Sequence, residues 1–395
     1  MVEKSKMKQV FIYSAKRTPM GSFMGELSTK NAVDLGVAAV KAVLHTADPK
    51  SVQEIVMGCV LPAGLGQAPA RQVAIKSGLS EHTIASTVNK VCGSGLKAVM
   101  MLSDSIQLGR INVGIAGGME SMSSAPYLLP KVRQGYKYGH TQLLDHMALD
   151  GLEDAYEPGV SMGVLAERLA ETYAFSREAQ DAYAISSTTK AQIATESGAF
   201  ANEIAAITIE GRTPYTMEQD EGPRKAKPEK VPQLKPAFKK EGTITAASAS
   251  PISDGAAALL LGSEDAAGSL GLKPRAVIKS YASYSHEPQW FTTAPINAIK
   301  TVLNDTGWSI DDVDLFEINE AFAVVPMAVM RDLKIPAEKV NIHGGALVLG
   351  HPLGASGARV VVTLLHALER HNLKRGIAAL CIGGGEGVAI AIERV

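Results

Sequence analysis

Short apolar runs and helical stripes alternate along most of this chain. Val10-Phe11-Ile12-Tyr13 reads as a short buried strand. Over 33–44, Val33, Val37, Val40 and Leu44 recur at helical spacing, with Asp34 near the start. A second strand is predicted over 54–58, then a Gly/Pro-rich loop and a helix over about 68–76. Thr87, Val88 and Val91 are β-branched and mark a strand end at 87–91. Leu96, Val99, Met100 and Ile106 then share one helical stripe that runs to Gly109-Arg110. A further strand, 111–118, runs into a glycine pair. Such alternation predicts an α/β layer structure with a largely parallel sheet.

The last third repeats this plan. A strand over 276–281 and a helix over 294–303 come first. The run 313–317 answers 54–57, and 340–345 answers 88–93. The small residues of 354–358 open a helix as those of 93–98 did, and 376–385 answers 110–118. Five elements in the same order predict two similar α/β halves packed together. Between them, 121–249 has another character: a Gly-, Asp- and His-rich piece over 136–156, one amphipathic helical stretch over 162–197, and a polar, Pro-rich segment over 218–240. Arg224, Lys225, Lys227 and Lys230 cluster in that segment. They suit an acidic ligand such as a nucleotide phosphate, or simply a solvated surface.

Composition narrows the picture. With 395 residues, 46% hydrophobic, the chain can bury a large core in two or three domain-sized units. A formal net charge of −1 argues against nucleic acid or an anionic membrane as the main partner. Three distant cysteines, an odd number, argue against a disulfide framework and for a reducing compartment. Residues 1–8 are polar, no secretory signal follows, and no apolar run is long enough to span a bilayer. A soluble, cytoplasmic protein is expected, and no metal-ligand spacing appears.

The candidate chemistry sits at strand ends. Asn89-Lys90-Val91-Cys92-Gly93-Ser94-Gly95-Leu96-Lys97-Ala98 puts Cys92 at a strand-to-helix turn. Helix-end N–H groups there favour a thiolate, and the glycines allow close approach. A lone cysteine is more often a small core residue. Three further stretches change the weight: Asn319-Glu320-Ala321-Phe322, His351-Pro352-Leu353-Gly354-Ala355-Ser356-Gly357 and Cys381-Ile382-Gly383-Gly384-Gly385. Each follows a strand, where open sheets gather ligand sites. Two cysteines, a histidine and an asparagine at equivalent points of two halves suggest one shared centre.

On these motifs, together with Asp150-Gly151-Leu152-Glu153-Asp154-Ala155-Tyr156 and Lys235-Pro236-Ala237-Phe238, nearly the whole chain resembles a thiolase of the acetyl-CoA C-acetyltransferase type. The resemblance implies duplicated α/β halves in a layered αβαβα core with an inserted loop domain. It implies a division into 1–120 plus 250–270, the loop domain 121–249, and 271–395. Cys92 would take an acetyl group from acetyl-CoA, with His351 accepting its proton. Cys381 would draw a proton from the methyl of a second acetyl-CoA. His351 and a water held by Asn319 would form one oxyanion hole, and the N–H groups of Cys92 and Gly383 another. The product would be acetoacetyl-CoA; in reverse, the same residues would cleave a 3-ketoacyl-CoA.

For CoA, the resemblance implicates Ser250, Leu152, Met162, Arg224, Phe238 and Phe322, with Arg224 near the nucleotide end. The chain departs from the family's usual residues at Ser161, Pro251, Phe291 (in the acyl pocket) and Glu386, away from the four catalytic side chains. No resident cofactor is implied, since CoA is substrate and product, and a homodimer or homotetramer is expected. The alternatives are a degradative 3-ketoacyl-CoA thiolase acting on longer chains, a carrier-protein ketoacyl synthase and a non-catalytic scaffold. Cys381 argues against the synthase, which needs no second cysteine base. Retention of all four polar residues argues against the scaffold.

Overall fold

A computed structural model describes residues 7–45 and 47–395. Residues 1–6 of the polar N-terminal stretch lie outside the described residues. In the first half, β1 (Val10–Arg17) precedes α1 (Ala32–Leu44), whose start is fixed by a capping box between Asn31 and Asp34. Then come β2 (Glu54–Gly58), α2 (Pro69–Lys76), β3 (Ile84–Val88), α3 (Ser94–Gln107) and β4 (Val113–Ser121). The intervening segment carries α4 (Met162–Thr172) and α5 (Arg177–Glu196). After it come β5 (Ser253–Gly262), β6 (Ala276–Ser285), α6 (Ala294–Thr306), β7 (Leu315–Ile318), α7 (Val324–Leu333), α8 (Leu353–Arg370), β8 (Arg375–Ile382) and β9 (Glu386–Arg394).

Nine of these strands run in the order β7-β8-β9-β6-β1-β5-β4-β2-β3, and the short piece Gly21–Ser22 pairs with β5. The sheet is mixed, and the expectation of a largely parallel one is corrected. Among the described residues only β2–β3, β2–β4 and β7–β8 are parallel ladders. The hairpin β8–β9 turns through Gly383, Gly384 and Gly385, with φ of +93° and +87° at the last two. β5 returns antiparallel between β1 and β4 after the long middle segment. Alternation along the chain carries no record of which strands pair.

Two helices lie between the halves. α8 packs on β4 and β5 of the first half, on β7 and β8 of the second, and against α3. α1 and α2 cover the other face of the first half, and α6 that of the second. The layers therefore run αβαβα. Being covered on all sides, α8 is buried from Leu353 through Leu368, as a helix inside a sandwich must be. Its entry is tight: a Cβ on Gly118 would sit 1.9 Å from the Gly354 carbonyl oxygen, one on Gly58 2.7 Å and one on Gly95 2.9 Å.

Two further expectations change. The amphipathic stretch 162–197 is two helices, broken where Ala174 turns to φ +50° and Ser176 caps α5 by accepting from the Ala179 N–H. The run 340–345 forms no strand, only a bridge between Val340 and Phe316. Asn341, at φ +45°, supplies the reason. Its side-chain Oδ1 accepts from Ile318 N–H and its Nδ2 donates to Ile318 C=O, both at 2.8 Å, so an amide side chain takes the place of a ladder partner.

Gly118→Ala should cost about 1–3 kcal/mol by overpacking backbone against backbone, and lower the melting temperature and activity. Gly268→Ala, where the new methyl group meets nothing within 4 Å, should stay near the parent in the same thermal scan. Equal behaviour would remove the crossing at Gly354 as a constraint.

Candidate active site

Cys92 occupies the turn between β3 and α3. Asn89 Oδ1 accepts from the Val91 N–H at 2.9 Å, and Val91 itself has φ +45°. Ser94 Oγ accepts from the Lys90 N–H at 2.8 Å and donates to the Val91 carbonyl at 2.6 Å. This strained turn is thus held from both ends. A Cβ on Gly93 would meet Ile382 Cδ1 at 2.4 Å, so the glycine lets the turn close on the β8 end. Lys90 pairs there with Glu386, the residue after the glycine turn.

The second half brings the other groups to the same place. Asn319 follows β7, its N–H bonded to the Ala379 carbonyl at 2.9 Å. Cys381 lies on β8 opposite Gly387, fully buried. His351 precedes α8; its Nδ1 is 2.6 Å from Ser356 Oγ, whose hydroxyl lies 3.0 Å from the Pro352 carbonyl. With that hydroxyl donated to Pro352, Ser356 accepts from Nδ1–H and leaves Nε2 as the bare nitrogen. This tautomer is assigned from the partners. Nε2 is buried and has no partner. Asn319 Nδ2 stands 3.5 Å from His351 Nδ1; both are donors in this tautomer, so the contact is not a hydrogen bond.

Cys92, His351 and Gly383 line one cavity of about 430 Å³, together with Leu152, Met162, Phe238, Ser250, Phe291 and Phe322. Three aromatic rings form an edge-to-face chain in its wall, Phe238–Phe322 at 5.9 Å and Phe322–Phe291 at 6.4 Å between centroids. The Ser250 N–H is tied to the Ala321 carbonyl at 2.9 Å. Of the departures, Ser161 and Pro251 also line the wall. Cys381 and Asn319 stand behind it. Arg224 is apart: its Nη2 bonds Glu26 Oε1 at 2.7 Å and its Nε the Asp220 carbonyl, and it lines no part of this cavity.

Electrostatics revise one expectation. The turn was expected to favour a thiolate, yet Cys92 is pushed up to about 11. Burial around the sulfur dominates, although the residue as a whole is half-buried. Backbone hydrogen bonding from Gly383 and from Cys92 itself works the other way, and the Glu120 charge adds to the rise. Desolvation therefore outweighs the dipole. Cys381 is raised well above the ordinary thiol range by burial and by the proximity of Cys92. His351 is lowered to about 3 by burial and by the Arg359 charge, so it is neutral at pH 7. The site holds a thiol and a neutral imidazole.

Sequence reasoning passed over several residues. Ser356 lies inside the His351 motif, where nothing in the motif itself marks it apart from its neighbours. Arg359 follows it by three residues on the same helix face, a spacing that could have flagged both. Glu120, fully buried, accepts from Val60, Leu61 and Gly354 N–H groups at 2.9, 3.1 and 2.8 Å, tying the β2 end to the start of α8. Burial pushes its carboxyl up to about 7 while those N–H groups oppose the shift. No local pattern announces it. Among the described residues, no group of three or more His, Cys, Asp or Glu could hold a metal ion, and no helix is long and apolar enough to cross a membrane.

Residues 10–265 match the family model "Thiolase, N-terminal domain" and residues 272–394 match "Thiolase, C-terminal domain". The chain belongs to the thiolase family. It is 48% identical to an acetyl-CoA acetyltransferase of Saccharomyces cerevisiae, over 98% of this chain and 99% of the relative. Among solved structures, the Acat5 thiolase of Ascaris suum in complex with coenzyme A superposes with a TM-score of 0.92 at 44% identity, covering 98% of this chain and all of that one. The acetyl-CoA acetyltransferase of Bacillus anthracis gives 0.95 at 40% identity, over 99% of this chain and all of its own.

With a raised thiol, alkylation of Cys92 by iodoacetamide should climb about tenfold per pH unit through neutrality, because the reactive thiolate is the minor form below its pKa. Peptide mapping across pH 6–10 checks this. A plateau by pH 8 would mean the two N–H groups outweigh burial.

Proposed function

We propose that this thiolase is an acetyl-CoA C-acetyltransferase, joining two acetyl-CoA molecules into acetoacetyl-CoA and CoA, reversibly. One observation carries the reading: Cys92, the Gly383 backbone and His351, whose Nε2 is unpartnered, share one apolar cavity. Cys92 passes its proton to Nε2 as the sulfur attacks the thioester carbonyl. The oxyanion forms beside the Cys92 and Gly383 N–H groups, and CoA departs as a thiolate that then collects the Cys381 thiol proton, leaving Cys381 ionised and the Cys92 proton on His351 Nε2. Cys381 then takes a methyl proton from the second acetyl-CoA. The enolate oxygen is met by His351 and, through a water, by Asn319. The carbanion attacks the acetyl carbonyl, and Cys92 departs as a thiolate that regains a proton.

The raised thiols fit this sequence. A buried thiol is a stronger base once ionised, which suits Cys381 for carbon acid chemistry. Ser250, Leu152, Met162, Phe238, Phe291 and Phe322 would hold the pantetheine and acyl ends. A nucleotide role for Arg224 requires that its pairing with Glu26 yield to a phosphate. The names of the relatives support the acetyl-CoA type over the degradative alternative. The chemistry needs no resident cofactor. The homodimer or homotetramer, the cytoplasmic setting and the division at 120, 249 and 270 belong to the same proposal.

Thiolysis of acetoacetyl-CoA beside a longer 3-ketoacyl-CoA, followed by loss of substrate absorbance, tests the reading. A clear preference for acetoacetyl-CoA is expected; equal or faster cleavage of the long chain would move the protein to the degradative class. Cys92→Ser should abolish labelling by radioactive acetyl-CoA. Cys381→Ser should keep the label and slow condensation by roughly 10²–10⁴-fold, the usual worth of a general base. Joint loss of label and condensation in Cys381→Ser would contradict the split of roles.

A further inference from the structure

Behind the cavity wall, Arg359 is 1% exposed and stands on the face of α8 that carries Ser356. Its guanidinium divides between two groups: Nη1 donates to Glu317 Oε1 at 2.8 Å, and Nη2 to Asn319 Oδ1 at 3.2 Å. Arginine has donors only. The Asn319 atom facing it must therefore be the oxygen, and the amide nitrogen is forced to the His351 side, where Nδ2 lies 3.5 Å from Nδ1. A flipped amide would set NH2 against a cation in a fully buried place, leaving both sets of donors unpaired. Glu317, itself buried, meets the guanidinium and keeps it from swinging away.

We propose that Arg359 is a positioning residue that sets the orientation of the Asn319 amide, so that the NH2 donor lies on the His351 side, where it can hold the water that meets the enolate oxygen. The inference rests on the thiolase reading above. Arg359 lines no part of the cavity, so it acts through Asn319. Ser356 and Arg359, one helical turn apart, then brace the two polar groups of the second half together. Ser356 sets which imidazole nitrogen is bare; Arg359 sets which end of the amide donates. Asn319 serves the enolate, which forms only after Cys92 is acetylated, so the defect from losing Arg359 belongs to the second half-reaction alone.

The test compares R359K, N319A and the double variant, reading Cys92 acetylation with radioactive acetyl-CoA and condensation separately. Lysine keeps the buried charge but cannot fork between Glu317 and Asn319. R359K should keep the acetylation rate within about twofold and slow condensation about tenfold or more, the scale of a misplaced group. Adding R359K to N319A should cost nothing further. Equal slowing of both half-reactions, losses that multiply in the double variant, or a parent-like R359K would each overturn the proposal. If R359K does not fold, E317Q releases the guanidinium at constant volume and is read by the same criteria. Absence of label in the unsubstituted protein would overturn the thiolase reading and this proposal together; label with the wrong pattern would overturn the proposal alone.

Discussion

The structure depends on backbone meeting backbone where α8 enters the space between the two halves. The Gly354 carbonyl lies so close to Gly58, Gly95 and Gly118 that a methyl group on any of them would collide with it. Glu120 takes the Gly354 N–H from the other side and ties it to the β2 end. Contacts of this kind have no side chain to yield, so they set distance stiffly. Because α3 carries the Cys92 turn and α8 follows His351, the same crossing sets the separation of the two groups.

Burial shapes the chemistry in opposite directions for acids and bases. Burial around Cys92, Cys381 and His351 raises the thiols and lowers the imidazole. All three therefore rest neutral, and an apolar cavity can form around them without an unpaired charge. The buried charge of Arg359 is admitted only because Glu317 and Asn319 absorb its donors.

The two halves are alike in plan and unlike in detail where the chemistry differs. Both bring a polar group to the end of a parallel strand pair. The first half closes its loop with a cysteine turn pinned by Ser94. The second replaces a strand partner with the Asn341 amide, which also donates to Glu320 at 2.9 Å. That substitution leaves the 341–351 segment free to leave the sheet and present His351. Duplication supplied the frame, and local polar bonds made the halves differ.

Much of this was legible along the chain, because it depends on neighbours in sequence. The periodicities at 33–44, 54–58 and 294–303 are local, and elements stand there. The four polar candidates were visible because the motifs around them are contiguous, and nine predicted residues line one cavity. What depends on partners far away was not visible. The sheet is mixed because the middle segment and the glycine hairpin return strands antiparallel, which no alternation encodes. The helical stretch 162–197 breaks at one left-handed residue. Arg224 is drawn to Glu26, 198 positions away. Helix-dipole reasoning gave Cys92 the wrong sign, since desolvation is a sum over everything packed around the sulfur. The sequence by itself determined the elements, the duplication and the candidate chemistry, whereas pairing, burial and the orientation of each side chain were decided only when distant segments met in three dimensions.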